Sequence, residues 1–229
     1  MKKQLLLLHG ALGAGIQFEP LVPYLEDTFE VHTPDFEGHG TSEVRDRPFS
    51  MKNFSENVLD YIDANAINAA SVFGHSLGGH VGLYLAAFSP ERINGVFTLG
   101  TKFLWTPEIA EKENAFLDAD IIRNKVPQYA KMLYERHVAS GWEVLLTKAR
   151  DFHNYLAVNN PISDEDFKRI ERKVRISLGD RDKMVSIEES VRVYRLLKEG
   201  EFQILPRTPH PLEKVRLELL SNSIIEFFN

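Results

Sequence analysis

The stretch VFGHSLGGHV, residues 72–81, contains a serine, Ser76, among glycines and directly after an apolar run. A strand that ends in a serine and turns at once into a helix must bend sharply, and neighbouring side chains would collide in that bend. Gly74 and Gly78 provide the room because they carry no side chain. The turn would raise the Ser76 hydroxyl above the sheet and direct free N–H groups of the helix to the space beside it. The stretch therefore predicts a strand–turn–helix unit with an accessible serine.

Short apolar runs alternate with segments of helical periodicity on both sides of this stretch. Such alternation is typical of a parallel sheet covered by helices. We expect an α/β fold with a mostly parallel sheet of six strands, or slightly more, flanked by helices. One covering helix should begin after Ser50 and reach about Asn65, and the last should have Pro211 in its first turn. The candidate strands are residues 4–10, 29–35, 70–76, 93–100, 173–180 and 201–206.

The segment from about Thr101 to Arg172 interrupts this alternation, because it shows helical periodicity and no strand candidate. Thr106 before a proline and Ser163 before three acidic residues are helix-start signals. We expect a core formed by residues 1–100 and 171–229, with residues 101–170 as an all-helical cap inserted between two strands. The cap should lie over the carboxyl edge of the sheet, where ligands bind in open α/β folds.

Residues that can activate a serine follow two other strand candidates. A serine hydroxyl is a weak nucleophile unless a base accepts its proton and an acid orients that base. Asp180 and Asp182 follow the strand candidate 173–180, and His210 lies between the last strand and the last helix. The sequence therefore predicts that Ser76, an aspartate and His210 converge at the carboxyl edge of the sheet, in that chain order.

With these residues, the chain resembles the α/β-hydrolase superfamily, and in particular its compact, capped esterase- and perhydrolase-like serine hydrolases. The resemblance implies that Ser76 is the nucleophile, His210 the base and Asp182, three residues after Gly179, the acid. It also implies an oxyanion hole formed by two backbone N–H groups, those of Ala11 and Leu77. Four separated motifs carry the resemblance: LLLLHGALGAG, TPDFEGHGTSE, GHSLGGH, and the pair GDRDKMV and TPHPLEKV.

The remaining polar residues of these motifs have structural interpretations. Asp180 is expected to bind backbone N–H groups in a turn, and His9 and His39 are expected to hold loop backbone in place. The eight histidines show no H-E-x-x-H type of spacing, so we expect neither a metal site nor a cofactor. The residues expected to line the substrate pocket are Leu12, His80, Phe103, Trp105, Trp142 and Met184.

The expected reaction is hydrolysis of a carboxylic ester, or a thioester, of a small and largely apolar acyl group through an acyl-enzyme. A serine at position 76 excludes the dehalogenases and epoxide hydrolases of this superfamily, which have an aspartate there. His80 stands where the menaquinone-pathway synthase usually has an arginine, which argues against that activity. Carbon–carbon bond hydrolases and perhydrolases share the same triad, and some members with the triad are slow-turnover small-molecule receptors, so these alternatives stay open.

Composition narrows the classes of partner. The formal net charge is -6 and no run of Lys and Arg exceeds two residues, so nucleic acid is not expected as a partner. No apolar stretch approaches the roughly 20 residues that cross a bilayer, so no membrane partner is expected. The first apolar run breaks at His9 and Gly10 and predicts a strand rather than a signal peptide. We expect a cytoplasmic protein whose partner is a small-molecule ester or thioester.

Overall fold

The structure, a computed structural model, describes residues 2–229, and in this range six strands form one all-parallel sheet. The sheet order is β2-β1-β3-β4-β5-β6, so the predicted α/β class with a six-stranded parallel sheet is confirmed. Each predicted strand is present, beginning at the predicted residue or one before it and ending one to three residues earlier than predicted. The strands are β1 (Lys3–Leu8), β2 (Phe29–His32), β3 (Ala70–His75), β4 (Ile93–Leu99), β5 (Lys173–Gly179) and β6 (Gly200–Leu205).

Helices cover both faces of the sheet. The predicted start after Ser50 is confirmed, since the Ser50 hydroxyl accepts a hydrogen bond from the Asn53 N–H in the first turn of α1. The α-helices within residues 2–229 are α1 (Met51–Ala64), α2 (Leu77–Phe88), α3 (Pro107–Asn114), α4 (Ala119–Lys125), α5 (Pro127–Arg136), α6 (Trp142–Leu156), α7 (Asp164–Arg169), α8 (Ile187–Tyr194) and α9 (Leu217–Phe228). No helix in this range is both long enough and apolar enough to cross a membrane.

Successive side chains of a strand point to opposite faces of the sheet, so the buried residues form one cluster on each face. In β1, Leu6 and Leu8 pack with residues of α1, α2 and α8, whereas Leu5 and Leu7 pack on the opposite face with residues of α9. All four leucines are fully buried. A parallel strand with helices on both faces has no solvent side, which explains why LLLL, residues 5–8, is an unbroken apolar run rather than an alternating one.

A helical insert, α3 to α7, connects β4 to β5. The two predicted helix starts are both present: the Thr106 hydroxyl accepts from the Ile109 N–H, and the Ser163 hydroxyl accepts from the Asp166 N–H. Side chains that face inward from α6, including Leu145 and Phe152, join the same buried cluster as α1 and α2. The insert therefore packs on the core and does not form a separate hydrophobic unit.

The predicted start of the last helix is wrong. Pro211 precedes a short 3-10 turn, Leu212–Lys214, and the α-helix begins only at Leu217. Val215 and Arg216 have extended backbone, which breaks the helical path between the turn and α9. Val215 is buried in the core cluster that contains Leu5 and Leu7 of β1. This packing keeps the 3-10 turn and α9 apart as two separate helical segments.

Candidate active site

Ser76 lies between β3 and α2 with φ 51° and ψ −115°, a left-handed conformation that costs energy for a residue with a side chain. A Cβ on Gly74 would lie 2.3 Å from the backbone nitrogen of Gly79, and one on Gly78 would lie 2.1 Å from the carbonyl oxygen of Leu8. Both distances are far below van der Waals contact. The predicted sharp turn is therefore present, and both glycines are required by the close approach of backbone.

Backbone and side-chain hydrogen bonds hold this strained turn. The Ser76 N–H donates to the Leu99 carbonyl over 2.9 Å, and the Thr101 hydroxyl donates to the Ser76 carbonyl over 2.9 Å. The Gly79 N–H donates to the same carbonyl over 3.1 Å as α2 begins. Because β4 and the first residue of the insert contribute these bonds, the neighbouring strand stabilises the conformation of Ser76.

Asp182 and His210 form a close pair, with 2.7 Å between His210 Nδ1 and Asp182 Oδ2. The other carboxylate oxygen of Asp182 accepts from the N–H groups of Met184 and Val185, at 2.8 and 3.0 Å. Burial by itself raises the pKa of Asp182, but the bonds from His210 and from the backbone outweigh burial and leave that pKa below its ordinary value. Asp182 is therefore an ionised acceptor that orients the His210 ring.

Asp180 occupies a different place from Asp182. Its side chain is exposed, and its Oδ1 accepts from the Thr208 N–H over 3.0 Å. Hydrogen bonds from backbone N–H groups of Arg207 and Thr208 lower the pKa of Asp180. Asp180 thus ties the loop after β5 to the loop that leads to His210, as a turn residue does.

His210 contacts His75, the residue that precedes Ser76. His75 Nε2 lies 2.9 Å from the His210 carbonyl oxygen, and the two rings are 5.2 Å apart. Burial, and then the nearby His210, lower the pKa of His75 to about 4, so His75 donates as a neutral ring. Within residues 2–229 no hydrogen bond joins Ser76 Oγ to His210, and catalytic hydrogen bonds of this kind are often long without substrate.

The backbone N–H groups of Ala11 and Leu77 have no acceptor among residues 2–229. Leu77 is the first residue of α2, where a helix cannot supply an acceptor. The loop that carries Ala11 runs close to the serine, since a Cβ on Gly10 would lie 3.2 Å from the Ser76 Cβ. Two free donors therefore belong to the backbone segments that meet at Ser76, the arrangement that an oxyanion hole needs.

His9 and His39 contact loop backbone. His9 Nε2 accepts from the Phe36 N–H over 3.1 Å and His9 Nδ1 lies 2.8 Å from the Gly10 carbonyl, which joins the loops after β1 and β2. His39 Nδ1 lies 3.0 Å from the Glu37 carbonyl. Burial lowers the pKa of His9 to about 3 and that of His39 well below its ordinary value, so both rings are neutral hydrogen-bonding groups at neutral pH.

A cavity of about 830 Å³ contains Ser76 and His210 in its lining. The loops after β1, β3, β5 and β6 contribute to it, and so do α3, α5 and α6 of the insert. A further cavity of about 660 Å³ lies within the insert and includes neither residue. The larger of these two cavities is therefore the candidate substrate pocket, and its apolar lining includes Leu12, Phe54, Leu117, Met132, Phe152 and Leu156.

Four of the six residues predicted for the pocket are in this lining: Leu12, His80, Trp105 and Met184. The other two lie elsewhere. Phe103 packs its ring between His80 and Phe167, and Trp142 is 4% exposed in the buried cluster below the Arg123 guanidinium. Both are large aromatics on insert segments, and the helical period of α6 alone does not show which apolar positions reach the cavity and which fill the interior.

Two ion pairs lie in the lining of the cavity. Lys102 Nζ lies 3.6 Å from Glu113 Oε1, with both side chains 13% exposed, and Arg136 Nη2 lies 2.9 Å from Glu213 Oε1. Arg136 also donates to the Leu12 carbonyl. Two of the cationic side chains thus have their own carboxylate partners, whereas Lys112, Lys183 and Lys214 line the cavity without an ion pair among residues 2–229.

Sequence reasoning missed Asp35, which joins the loop after β1 to the loop after β2. Its Oδ1 accepts from the Gly15 N–H over 2.7 Å, and its Oδ2 accepts from the Thr41 N–H and hydroxyl at 2.9 and 3.0 Å. It also missed His153, which lines the cavity and stacks on Trp105 with ring centroids 4.7 Å apart. Asp35 stands within the motif TPDFEGHGTSE and could have been found there, whereas nothing in the sequence marks His153.

Comparison with known proteins identifies the family of the chain. A family model described as the alpha/beta hydrolase fold matches residues 3–177. The chain is 34% identical over 110 residues to the pimeloyl-[acyl-carrier protein] methyl ester esterase of Edwardsiella ictaluri, a match that covers 48% of this chain and 40% of that relative.

Two solved structures share the fold at low sequence identity. A thermophilic esterase from Thermogutta terrifontis superposes with a TM-score of 0.78 at 19% identity, covering 100% of this chain and 90% of the other. The meta-cleavage product hydrolase of Pseudomonas fluorescens IP01 superposes with a TM-score of 0.78 at 22% identity, covering 99% and 90%.

Proposed function

Since the chain belongs to the alpha/beta hydrolase fold family, we propose that it is a serine hydrolase with the triad Ser76, His210 and Asp182. Its substrate is a carboxylic ester, or a thioester, of a small and largely apolar acyl group. The observation that carries this proposal is the coincidence of three features at one cavity: the strained serine turn, the 2.7 Å Asp182–His210 pair and the apolar lining. The matched stretch of an esterase relative supports the choice of an ester.

Each residue has a defined step in the reaction. His210 accepts the proton of Ser76 Oγ while that oxygen bonds to the carbonyl carbon, and the carbonyl oxygen becomes an oxyanion facing the N–H groups of Ala11 and Leu77. His210 then gives the proton to the departing alcohol or thiol as the bond to the acyl carbon breaks. Water attacks the acyl-enzyme with His210 again as base, which releases the acid and restores Ser76. Asp182 keeps the His210 ring in the required tautomer throughout.

The first prediction is that a fluorophosphonate probe labels Ser76, because only a base-activated hydroxyl attacks such a reagent rapidly. Peptide mapping by mass spectrometry should place the adduct on the peptide containing GHSLGGH. Ser76→Ala should abolish both labelling and hydrolysis of p-nitrophenyl esters. Ser89→Ala, at the other end of α2, is the matched control and should behave like the wild type.

An adduct on another serine, or ester hydrolysis that persists in Ser76→Ala, would overturn the proposal. The same assay separates the alternatives that share a triad. A carbon–carbon bond hydrolase would be labelled but would prefer a carbon–carbon substrate, and a receptor would be labelled but turn over far below about 1 per second.

A further inference from the structure

His80 is the one histidine among the eight of the chain, all within residues 2–229, whose ring has no hydrogen-bond partner. The side chain is 3% exposed, packs its ring against Phe103 with centroids 5.8 Å apart, and belongs to the cavity lining. Buried polar side chains almost always have partners, because an unpaired one loses its bonds to water without replacement. Among protein groups in residues 2–229 the His80 ring therefore has no partner, and a molecule in the cavity can supply one.

The ring nitrogens of His80 are open to the cavity rather than sealed in the core. Within residues 2–229, the only side-chain polar atoms that are both fully enclosed and unpartnered are Ser55 Oγ and Thr98 Oγ1. Since the His80 nitrogens have no partner and are not fully enclosed, the free space they reach is the cavity they line. A ligand in the cavity can thus bond to this ring.

The charges around the cavity indicate what kind of group the ring meets. Burial lowers the pKa of His80 to about 4, so the imidazole is neutral at neutral pH and carries one N–H donor. Two of the cations that line the cavity, Lys102 and Arg136, are paired with Glu113 and Glu213, whereas Lys112, Lys183 and Lys214 also line it and have no ion pair among residues 2–229. The His80 ring itself offers no positive charge to an anion, but its N–H can donate to a neutral oxygen.

The position of His80 relative to Ser76 indicates which part of the substrate it meets. His80 lies one helical turn past Ser76, since its backbone N–H donates to the Ser76 carbonyl over 3.4 Å, and both residues line the cavity. His210 instead contacts His75, the residue before Ser76. The leaving group has to lie beside His210, which protonates it, and we assign His80 to the acyl part.

We propose that His80 is a specificity-determining residue that donates a hydrogen bond to a neutral oxygen, such as a ketone, on the acyl chain a few bonds from the scissile carbonyl. This inference rests on the proposed ester hydrolysis at Ser76 and narrows its substrate class. The acyl group is then mainly apolar but carries one uncharged oxygen, and esters with a plain alkyl chain leave the His80 ring unpaired.

The test compares p-nitrophenyl hexanoate with its 4-oxo and 5-oxo derivatives, each rate divided by the rate of alkaline hydrolysis of the same ester. Ketones are used because a hydroxyl group would attack its own ester. The wild type should prefer one of the oxo esters in kcat/KM by about tenfold or more, the gain typical of a buried hydrogen bond. His80→Phe keeps the ring shape without a donor and should lose this preference.

Two further variants complete the comparison. His80→Gln retains an N–H donor and should keep part of the preference. His32→Phe is the matched control, because His32 lies on the edge strand β2, bonds to Gln4 and Tyr61 and is outside the cavity lining. It should keep the full preference. An oxo preference that survives in His80→Phe would overturn the inference.

A second measurement does not depend on the His80 variants folding. In Ser76→Ala protein, NMR should show the imidazole resonances of His80 shifting on titration with ethyl 5-oxohexanoate and not with ethyl hexanoate. Absence of that difference, or hydrolysis of the plain hexanoate with no oxo preference in the wild type, would overturn the inference and leave the proposed function standing. If the wild type hydrolyses none of the three esters, the proposed function fails and this inference with it.

Discussion

Asp180 and Asp182 stand two residues apart in the loop after β5, yet they have different partners. Asp182 accepts hydrogen bonds from the His210 ring and from two backbone N–H groups, whereas Asp180 accepts from the Thr208 N–H at the surface. The Asp182 N–H donates to the Gly179 carbonyl, which forms the turn that separates the two side chains. Two acids that look alike in the sequence thus receive different roles from one tight turn.

Replacing each of these aspartates should have a different effect. Asp182→Asn should lower kcat by about three to four orders of magnitude at nearly unchanged stability, because an amide no longer stabilises the charged form of His210 and its required tautomer. Asp180→Asn should lower the melting temperature slightly and leave kcat close to the wild-type value. Ester kinetics and thermal melts on both variants check this, and a reversed pattern would move the acid to Asp180.

At the scale of elements, the carboxyl-terminal end of α5 connects the helical insert to the sheet edge. His137, which follows α5, has its Nε2 3.1 Å from the Leu12 carbonyl and accepts with Nδ1 from the Gly40 N–H over 3.0 Å. The acceptor role of Nδ1 places the ring proton on Nε2, so the neutral ring satisfies both groups. Leu12 adjoins Ala11, so the insert contacts the segment that carries a proposed oxyanion donor.

His137→Phe should remove both bonds while it nearly preserves the ring volume. The buried backbone groups of Leu12 and Gly40 would lose their partners, and we expect a loss of about 2–4 kcal/mol in the free energy of unfolding. The rate of ester hydrolysis should fall as well, since the backbone next to Ala11 is released. Urea unfolding and initial rates measure the two effects.

A matched control for His137→Phe is Arg123→Met on α4, which removes exposed ion pairs with Asp120 and Glu143. Exposed pairs contribute little, so this variant should unfold like the wild type. If His137→Phe also matches the wild type in stability and rate, the contact between α5 and the sheet edge is not important for holding the insert.

At the scale of the whole molecule, most histidines are buried as neutral rings. Burial lowers the pKa of His75, His80, His137 and His153 to about 4, and that of His9 to about 3. In the unfolded chain each returns to about 6.5. Unfolding therefore takes up protons below pH 6.5, and the folded state is favoured most above that pH.

Acid should consequently destabilise the protein before its carboxylates titrate. As the pH falls from about 6.5 toward about 4, each of these histidines lowers the free energy of unfolding by up to about 1.4 kcal/mol per pH unit. Urea midpoints measured between about pH 7 and pH 5 should fall steadily, and His137→Phe should show a shallower fall. A midpoint that stays constant across this range would contradict the neutral burial of these rings.

Local signals in the sequence predicted a large part of this molecule. Unbroken apolar runs indicated strands buried on both faces, helix-start residues such as Ser50 and Thr106 indicated helices, and GHSLGGH indicated the sharp turn at Ser76. These features depend on interactions between residues close in the chain, namely hydrogen-bonding caps, side-chain period and the absence of a Cβ where backbones touch. The fold class and the strained serine could therefore be predicted without any knowledge of the tertiary structure.

Other features depend on which distant segments meet, and only the tertiary structure decided them. The last helix begins at Leu217 rather than near Pro211 because Val215 packs under the sheet. Trp142 and His153 lie about three turns apart on one face of α6, yet Trp142 fills the interior and His153 lines the cavity, because different segments pack against the two ends of the helix. The isolation of the His80 ring is likewise invisible in the sequence, since a missing partner is a property of everything packed around it. Local chemistry determined the elements and the nucleophile turn, and the packing of distant segments determined the shape and polarity of the pocket.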